Sequence, residues 1–235
     1  MRLYLSDLHL ESPDTPVFRT FADLMQRTSG EAESIHILGD LTEVWVGDDD
    51  DGALALALTS VLKDAASRCR VTLTHGNRDF LFGEAFAART GIELLPDPHL
   101  TDDGTLLSHG DAFCIDDEAY QQMRALFRST EWQRDVLSQP LEARRELARN
   151  LREQSQATNA NKAENIMDVA TREVDRVALE AGARRLIHGH THRPGCHAHA
   201  WGFRYVLGAW ERCAWIARQS APGQEPVLEC LPYRA

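Results

Sequence analysis

The sequence lacks any long apolar run: its longest, Ala53 to Leu58, is far shorter than the roughly 20 residues that cross a bilayer. It shows no charged-then-apolar leader, because the first strand pattern already begins at Leu3, so export is not expected. Cysteines are few and unpaired in pattern. Cys69, Cys114, Cys196, Cys213 and Cys230 are scattered, odd in number and form no CxxC, which suits a reducing cytoplasm better than a disulfide framework. Positive charge is short as well: the net charge is −11, so the basic footprint of a long nucleic-acid track is missing and nucleic acid is not an expected partner. No repeat or biased tract stands out beyond the four aspartates Asp48 to Asp51. The expectation is a cytoplasmic globular chain, and 235 residues with 43% hydrophobic content suffice for one core without cross-links.

What is present alternates. Leu3 to Leu5, Ile35 to Leu38, Val71 to Leu73 and Thr105 to Leu107 read as buried strands. Val17 to Arg27 and Leu54 to Ala66 read as helices between them, an α/β pattern. After Asp117 strand signals vanish. Helical patterns fill Ala119 to Phe127, Leu141 to Gln156 and Asn161 to Gly182 before strands return at Arg185 to His188, Arg204 to Leu207, Trp215 to Ala217 and Val227 to Glu229. One domain over residues 1–235, with a helical cap inserted at 118–165, is the simplest organisation.

Each principal strand pattern runs straight into metal-ligand residue types: Asp7 and His9, Asp40, Asn77, His109, then His190 and His192. Strand-end loops of an open α/β sheet converge on one crevice. Seven oxygen and nitrogen donors there can hold two divalent cations and leave room for water and phosphate. Asp40 is the expected bridging carboxylate, since each of its oxygens can face one ion. Carboxylate, amide and imidazole together point to Mn2+. Gly39, Gly76, Gly110 and Gly189 sit beside these ligands, where sharp turns and close approach are needed. The acidic run Asp48 to Asp51 is read as charge near a helix N-terminus, and Cys114 as a packed thiol.

In this order the motifs resemble the calcineurin-like metallophosphoesterase superfamily. Within it, the UDP-2,3-diacylglucosamine pyrophosphohydrolase family resembles the chain nearly end to end. The resemblance rests on SDLHL (Ser6 to Leu10), WVGDD (Trp45 to Asp49), HGNRDFLFG (His75 to Gly83), HGDAFCIDDEAYQ (His109 to Gln121), NIMDV (Asn165 to Val169) and IHGHTHRP (Ile187 to Pro194). It implies a β-sandwich flanked by helices, with two metals at the strand ends. It also implies an enzyme of lipid A synthesis that splits UDP-2,3-diacylglucosamine into UMP and 2,3-diacylglucosamine 1-phosphate, by attack of metal-supplied hydroxide on the uridine-side phosphorus. Substrate contacts implied by the same resemblance are Asn77, Arg78, Asp117, Ser155, Asn159, Lys162 and His190. The alternative is a related hydrolase of another nucleotide diphosphate or of a phosphomonoester; a non-catalytic binding protein would be expected to lack ligands.

Two departures carry information. Arg78 stands where many superfamily relatives have a proton-donating histidine. A guanidinium cannot donate a proton near neutrality, but it grips phosphate oxygens, which suits a diphosphate with a good leaving group; the plainer reading is a surface Arg paired with Asp79. Thr42 stands where the narrower family has an aromatic residue. Residues 120–162 carry eight basic against five acidic side chains, with Leu126, Phe127, Trp132, Val136, Leu137 and Leu141 among them. A basic, apolar-rich cap suits a lipid drawn from an anionic membrane face, hence peripheral contact with the cytoplasmic side of the inner membrane; an ordinary amphipathic hairpin has the same composition.

Overall fold

Alternate residues of the first strand face different layers, and this sets the architecture. In β1 (Arg2–Leu5) Leu3 and Leu5 join one apolar cluster while Tyr4 joins another, as the twofold pleat requires. The computed structural model describes residues 1–159 and 168–234, with the side chains of 155–159 excepted. One six-stranded sheet runs β11-β10-β1-β2-β3-β4, and a second runs β5-β6-β7-β9-β8. In the first, β1, β2 (Ser34–Leu38), β3 (Arg70–Thr74) and β4 (Glu93–Leu95) are parallel, and β10 (Ala214–Gln219) and β11 (Val227–Leu231) add antiparallel. In the second, β6 (Thr105–Leu107), β7 (Arg185–His188) and β9 (Gly202–Val206) are parallel, with β5 (His99–Leu100) and β8 (Gly195–His199) antiparallel at the edges.

Helices α1 (Pro16–Thr28), α2 (Ala53–Ala66) and α3 (Glu84–Thr90) cover the first sheet, and α7 (Thr171–Ala181) covers the second. α1 starts where the sequence provides Thr15 as N-cap, accepting from the Phe18 amide, and Pro16 in the first turn. It then buries Phe18, Phe21, Leu24 and Met25, each worth about 1.5–3 kcal/mol relative to exposure. Tyr4, Leu38, Leu107, Ile187 and Tyr205 fill the space between the sheets. The remaining helices, α4 (Glu118–Phe127), α5 (Thr130–Leu137) and α6 (Leu141–Asn159), follow one another between β6 and α7. They dock on the body through Trp132 and Leu147.

The inter-sheet layer is not wholly apolar. His36 lies between Ser34 and Thr72, with ring nitrogens 2.8 Å from each hydroxyl, and stacks on Tyr4. Burial, aided by Arg70 and Arg2, pushes its pKa down to about 3. The unfolded chain therefore binds one more proton than the folded one between about pH 3 and the ordinary value of about 6.5. Stability should fall as pH drops through that window, by on the order of 1.4 kcal/mol per pH unit from this group. Urea unfolding from pH 7 to 4.5 should show a shallower pH slope for His36→Gln; equal slopes would remove His36 as the cause.

The structure departs from the sequence reading in several places. Cys213, just before β10, and Cys230, in β11, are joined in a disulfide, so the expectation of unpaired cysteines fails for these two. Their spacing along the chain hides a proximity that only the strand pairing creates. Cys114 is a buried thiol pushed up to about 12 by that burial, a packed group as expected. The helix expected over Asn161 to Gly182 begins at Thr171, after a non-helical Asp168 to Ala170; the earlier part lies outside the described residues. Short α3, α5, β4 and β5 and the polar edge strand β8 carry too little periodicity to be read from sequence. The aspartate run lies at helix N-termini as read, but at two of them: Asp50 accepts from the amide of Gly52, the N-cap of α2, at 3.0 Å. Asp48 accepts from the Gly83 and Phe86 amides at the start of α3. Asp49 pairs with Arg144 and Asp50 and Asp51 with Arg145, holding α6 to the body. Among the described residues no helix is long and apolar enough to cross a membrane.

Candidate metal centre and groove

Five non-glycine residues have positive φ among the described residues: Asp7 (56°), His9 (49°), Asp40 (50°), His190 (67°) and His192 (57°). All five are sequence-predicted ligands. A left-handed conformation costs such residues roughly 1–2 kcal/mol each, and strain of this kind collects where geometry is dictated by a site. Each lies just past the C-terminal end of β1, β2 or β7, so backbone curvature there turns the side chains toward one point. Neighbouring glycines permit the closeness: a Cβ on Gly76 would lie 2.1 Å from Asp40 Oδ1, and one on Gly39 would lie 2.6 Å from His109 Nδ1.

All seven predicted donors come together. Asp7, His9 and His192 form one group whose ligand atoms lie within 4.8 Å of one another, and Asp7, Asp40 and His109 form a second. His9 Nε2 is 3.3 Å from His192 Nε2 and 3.9 Å from Asp40 Oδ2. His109 Nε2 is 3.8 Å from Asp40 Oδ2 and 2.9 Å from Asn77 Oδ1, and His190 Nδ1 is also 2.9 Å from that amide oxygen. Asp7 is common to the two groups, and Asp40, in the second, reaches His9 of the first through Oδ2. Its Oδ1 accepts the Arg78 amide rather than facing a second ion position as expected. His109 donates from Nδ1 to the Leu38 carbonyl at 2.9 Å, which turns Nε2 inward.

Electrostatics mark the same point. Burial alone would lower His109, but Asp40, Asp111 and Asp7 raise it to about 9. Burial beside His109 pushes His190 down to about 4. Asp40 is raised by burial, whereas the surrounding histidines hold Asp7 low against its burial. The opposed shifts of His109 and His190, and of Asp40 and Asp7, follow from packing acids and imidazoles together out of water. The donor set fits two divalent cations.

Supporting residues that sequence reasoning missed lie behind the donors. Asp79 is fully buried and accepts from the amides of Leu41 (2.7 Å), Gly76 (2.9 Å), Asp40 (3.3 Å) and Thr42 (3.4 Å), fixing the two ligand loops against each other. A surface Arg78–Asp79 pair is therefore not what the chain forms; Arg78 Nε lies 3.7 Å from Glu43. Asp7 accepts from Ser6 Oγ at 2.7 Å and from the His190 amide. Buried Asp111 binds the Tyr120 hydroxyl (2.9 Å) and Arg124 Nε (2.8 Å), and the Tyr120 ring packs against His190. Thr42 is buried, so the position keeps the burial of an aromatic but not its bulk. Ser6, Asp79, Asp111 and Tyr120 all fall within the motifs SDLHL, HGNRDFLFG and HGDAFCIDDEAYQ, but nothing in those motifs said which partners they hold.

A groove leads away from Asn77 and Arg78 beneath α4, α5 and α6, enclosing a cavity of about 140 Å³. Its walls are Trp45, Phe80, Met123, Phe127, Trp132 and Leu151 among others. Phe80, Phe127 and Trp132 pack ring to ring between body and overhang. Arg128 donates to the Gly76 carbonyl at 2.9 Å and lies over Phe80, so the overhang grips the loop bearing Asn77. Of the predicted substrate contacts, Asn77 and Arg78 line the groove, and His190 lies against the Asn77 amide oxygen at 2.9 Å. Asp117 caps α4 through the Tyr120 amide. Ser155 and Asn159 lie on α6 with side chains outside the described residues, and Lys162 lies outside them altogether.

The chain is similar over most of its length to curated proteins of one kind. It is 44% identical over 229 residues to the UDP-2,3-diacylglucosamine hydrolase of Cellvibrio japonicus (94% of this chain, 95% of the relative). It is 43% identical over 229 residues to the protein of that name from Hahella chejuensis (94% of each). Among solved structures its fold is similar to an archaeal phosphodiesterase, with TM-score 0.50 and 14% identity over 98% of this chain and 99% of that one. No protein-family model matches the chain.

Proposed function

The chain belongs to the UDP-2,3-diacylglucosamine hydrolase family, and from that membership we propose that it hydrolyses the diphosphate of UDP-2,3-diacylglucosamine to UMP and 2,3-diacylglucosamine 1-phosphate. The observation that carries the reading is the junction of a strained donor cluster with an apolar groove at Asn77 and Arg78. The cluster suits a diphosphate and the groove suits acyl chains. Asp7, His9, Asp40 and His192 would hold one cation, and Asp40, Asn77, His109 and His190 the other. Bound there, two divalent ions make water nucleophilic near neutral pH and screen phosphate oxygens. We assign manganese, because the donors mix carboxylate, amide and imidazole.

The protein's own groups do the rest. Arg78 forks onto phosphate oxygens and has no proton to give, so the leaving group must depart as a stable anion. A sugar phosphate and UMP both do so. Family membership is what favours attack at the uridine-side phosphorus with 2,3-diacylglucosamine 1-phosphate leaving in line. Asp117, Ser155, Asn159 and Lys162 are proposed contacts to the glucosamine phosphate. In isotopically labelled water, one labelled oxygen should enter UMP and none the lipid product. Mass spectrometry of both products reads this, and label in the lipid phosphate would place attack at the other phosphorus.

Residues 118–165 would act as a cap over the acyl chains and bring the enzyme to its substrate. Met123, Leu126 and Leu137 are 46%, 53% and 42% exposed on α4 and α5, beside a surplus of arginine. Such a face dwells on anionic lipid, less tightly as salt screens the arginines. Cosedimentation should be seen with anionic vesicles at low salt and fade at high salt; binding to neutral vesicles alone, or none, would remove the proposed membrane contact.

A further inference from the structure

Two buried polar atoms that lack a hydrogen-bond partner, His9 Nδ1 and Arg78 Nε, belong to residues that face one carboxylate, that of Glu43. Glu43 Oε2 is 2.9 Å from His9 Nδ1, and Oε1 is 3.7 Å from Arg78 Nε. The first contact is close enough for a hydrogen bond without being aligned as one, so a small ring or carboxylate rotation completes it. Arg152, from α6, ion-pairs with the same carboxylate and reaches Glu11 at 3.5 Å with its other nitrogen. The Glu43 side chain is 12% exposed. One largely buried carboxylate therefore faces an imidazole, a strand-end arginine and an arginine of the overhanging helix.

Each contact has a chemical consequence. With its proton on Nδ1 facing Glu43, His9 presents the Nε2 lone pair to the cluster, the arrangement by which an outer carboxylate fixes a ligating histidine. Arg78 and Arg152 both line the groove, and two guanidiniums repel unless an anion lies between them. Glu43 supplies the one largely buried negative charge shared by both, since Glu11, 3.5 Å from Arg152, is 63% exposed to solvent. The pair therefore keeps much of its positive charge at the end of the groove beside Asn77, where a diphosphate would sit.

We propose that Glu43 is a positioning residue that fixes the His9 tautomer and holds Arg78 and Arg152 together as a paired clamp for the substrate diphosphate, tying α6 to the metal centre. This rests on His9 being a ligand and Arg78 facing phosphate, as read above. Titrating Mn2+ by calorimetry into the metal-depleted full chain tests the first half. His9→Ala should lose one binding event, and Glu43→Ala should weaken one by about 10–100-fold. Glu43→Gln should recover most of that affinity, because its amide oxygen still accepts from Nδ1–H. Kinetics test the second half. Glu43→Gln should still raise KM for the nucleotide lipid several-fold more than it lowers kcat, since an amide cannot hold two arginines. In the double variant with Arg152→Gln, the KM increase should fall well short of the product of the single increases. A wild-type Mn2+ titration for Glu43→Ala beside a lost event for His9→Ala would overturn the positioning role; so would KM effects that simply multiply. If His9→Ala itself titrates like wild type, the ligand reading fails instead, and the two failures stay distinct. Should Glu43→Ala not fold, the near-isosteric Glu43→Gln and Arg152→Gln pair still decides the matter through the KM cycle.

Discussion

Replacing Asp40 with alanine should lower turnover of UDP-2,3-diacylglucosamine by about a thousandfold or more, a loss of at least about 4 kcal/mol of transition-state stabilisation, and excess metal should not restore it. The carboxylate is buried and stands 3.9 Å from His9 Nε2 and 3.8 Å from His109 Nε2 through one oxygen, while its other oxygen accepts the Arg78 amide at 2.8 Å. On the proposed assignment, one truncation removes a donor from both cation positions and loosens the loop that carries Arg78. His109→Ala should be nearly as damaging, since it opens one position and frees the Asn77 oxygen it shares with His190. Chelation should abolish turnover in the unaltered protein, with Mn2+ restoring it better than Mg2+, which prefers oxygen-only shells and retains its water. Steady-state assays on chelated, dialysed and reloaded protein read all of this. Full activity without metal would sink the two-cation reading.

Why the donors were legible in sequence, and their supports were not, follows from where each lies. Asp7, Asp40, Asn77, His109 and His190 each follow an apolar strand within a few residues. A strand that stops at a polar, glycine-flanked residue leaves a local trace. Asp79 falls inside the HGNRDFLFG motif without any sign of what it holds, and Glu43 leaves no trace. Asp79 works by collecting amides from two loops nearly forty residues apart, and Glu43 matters because α6 brings Arg152 to it from over a hundred residues away. Those are consequences of packing, invisible to spacing. The fold divides in the same way. β1, β2, β3 and α1 have strong periodicity and were read close to their observed bounds. β8, a polar sheet edge, and α5, eight residues long, take their form from their neighbours. The Cys213–Cys230 link belongs with these, since strand pairing makes it and sequence spacing does not.

Shortening the acyl chains of the substrate should cost roughly 0.8 kcal/mol in kcat/KM for every methylene withdrawn from the groove, about a fourfold loss each. The groove runs from Arg78 between Trp45 and Phe80 on the body and Phe127, Trp132 and Leu151 on the overhang. Arg78 and Arg152 line it together with these apolar side chains, so an acyl chain tethered to a phosphate at Arg78 would run along the apolar wall. Ala148 lines the wall on α6, and Ala148→Phe would fill space that a long chain needs while leaving the donor cluster untouched. That variant should cut the ratio of long-chain to short-chain kcat/KM by about tenfold, which is about 1.4 kcal/mol and equals the loss of roughly two buried methylenes. Trp132→Ala should act in the other direction on shape: it opens the wall, weakens the Phe80–Phe127–Trp132 contacts and lowers discrimination between chain lengths. Kinetics over an acyl-length series, run on the three proteins side by side, separate these effects from simple destabilisation, because a merely unstable variant loses all substrates in equal proportion. If the unaltered enzyme handled long and short chains equally well, the overhang would be scaffold only. The metal centre would still hydrolyse a diphosphate, but the groove would no longer explain why that diphosphate carries lipid.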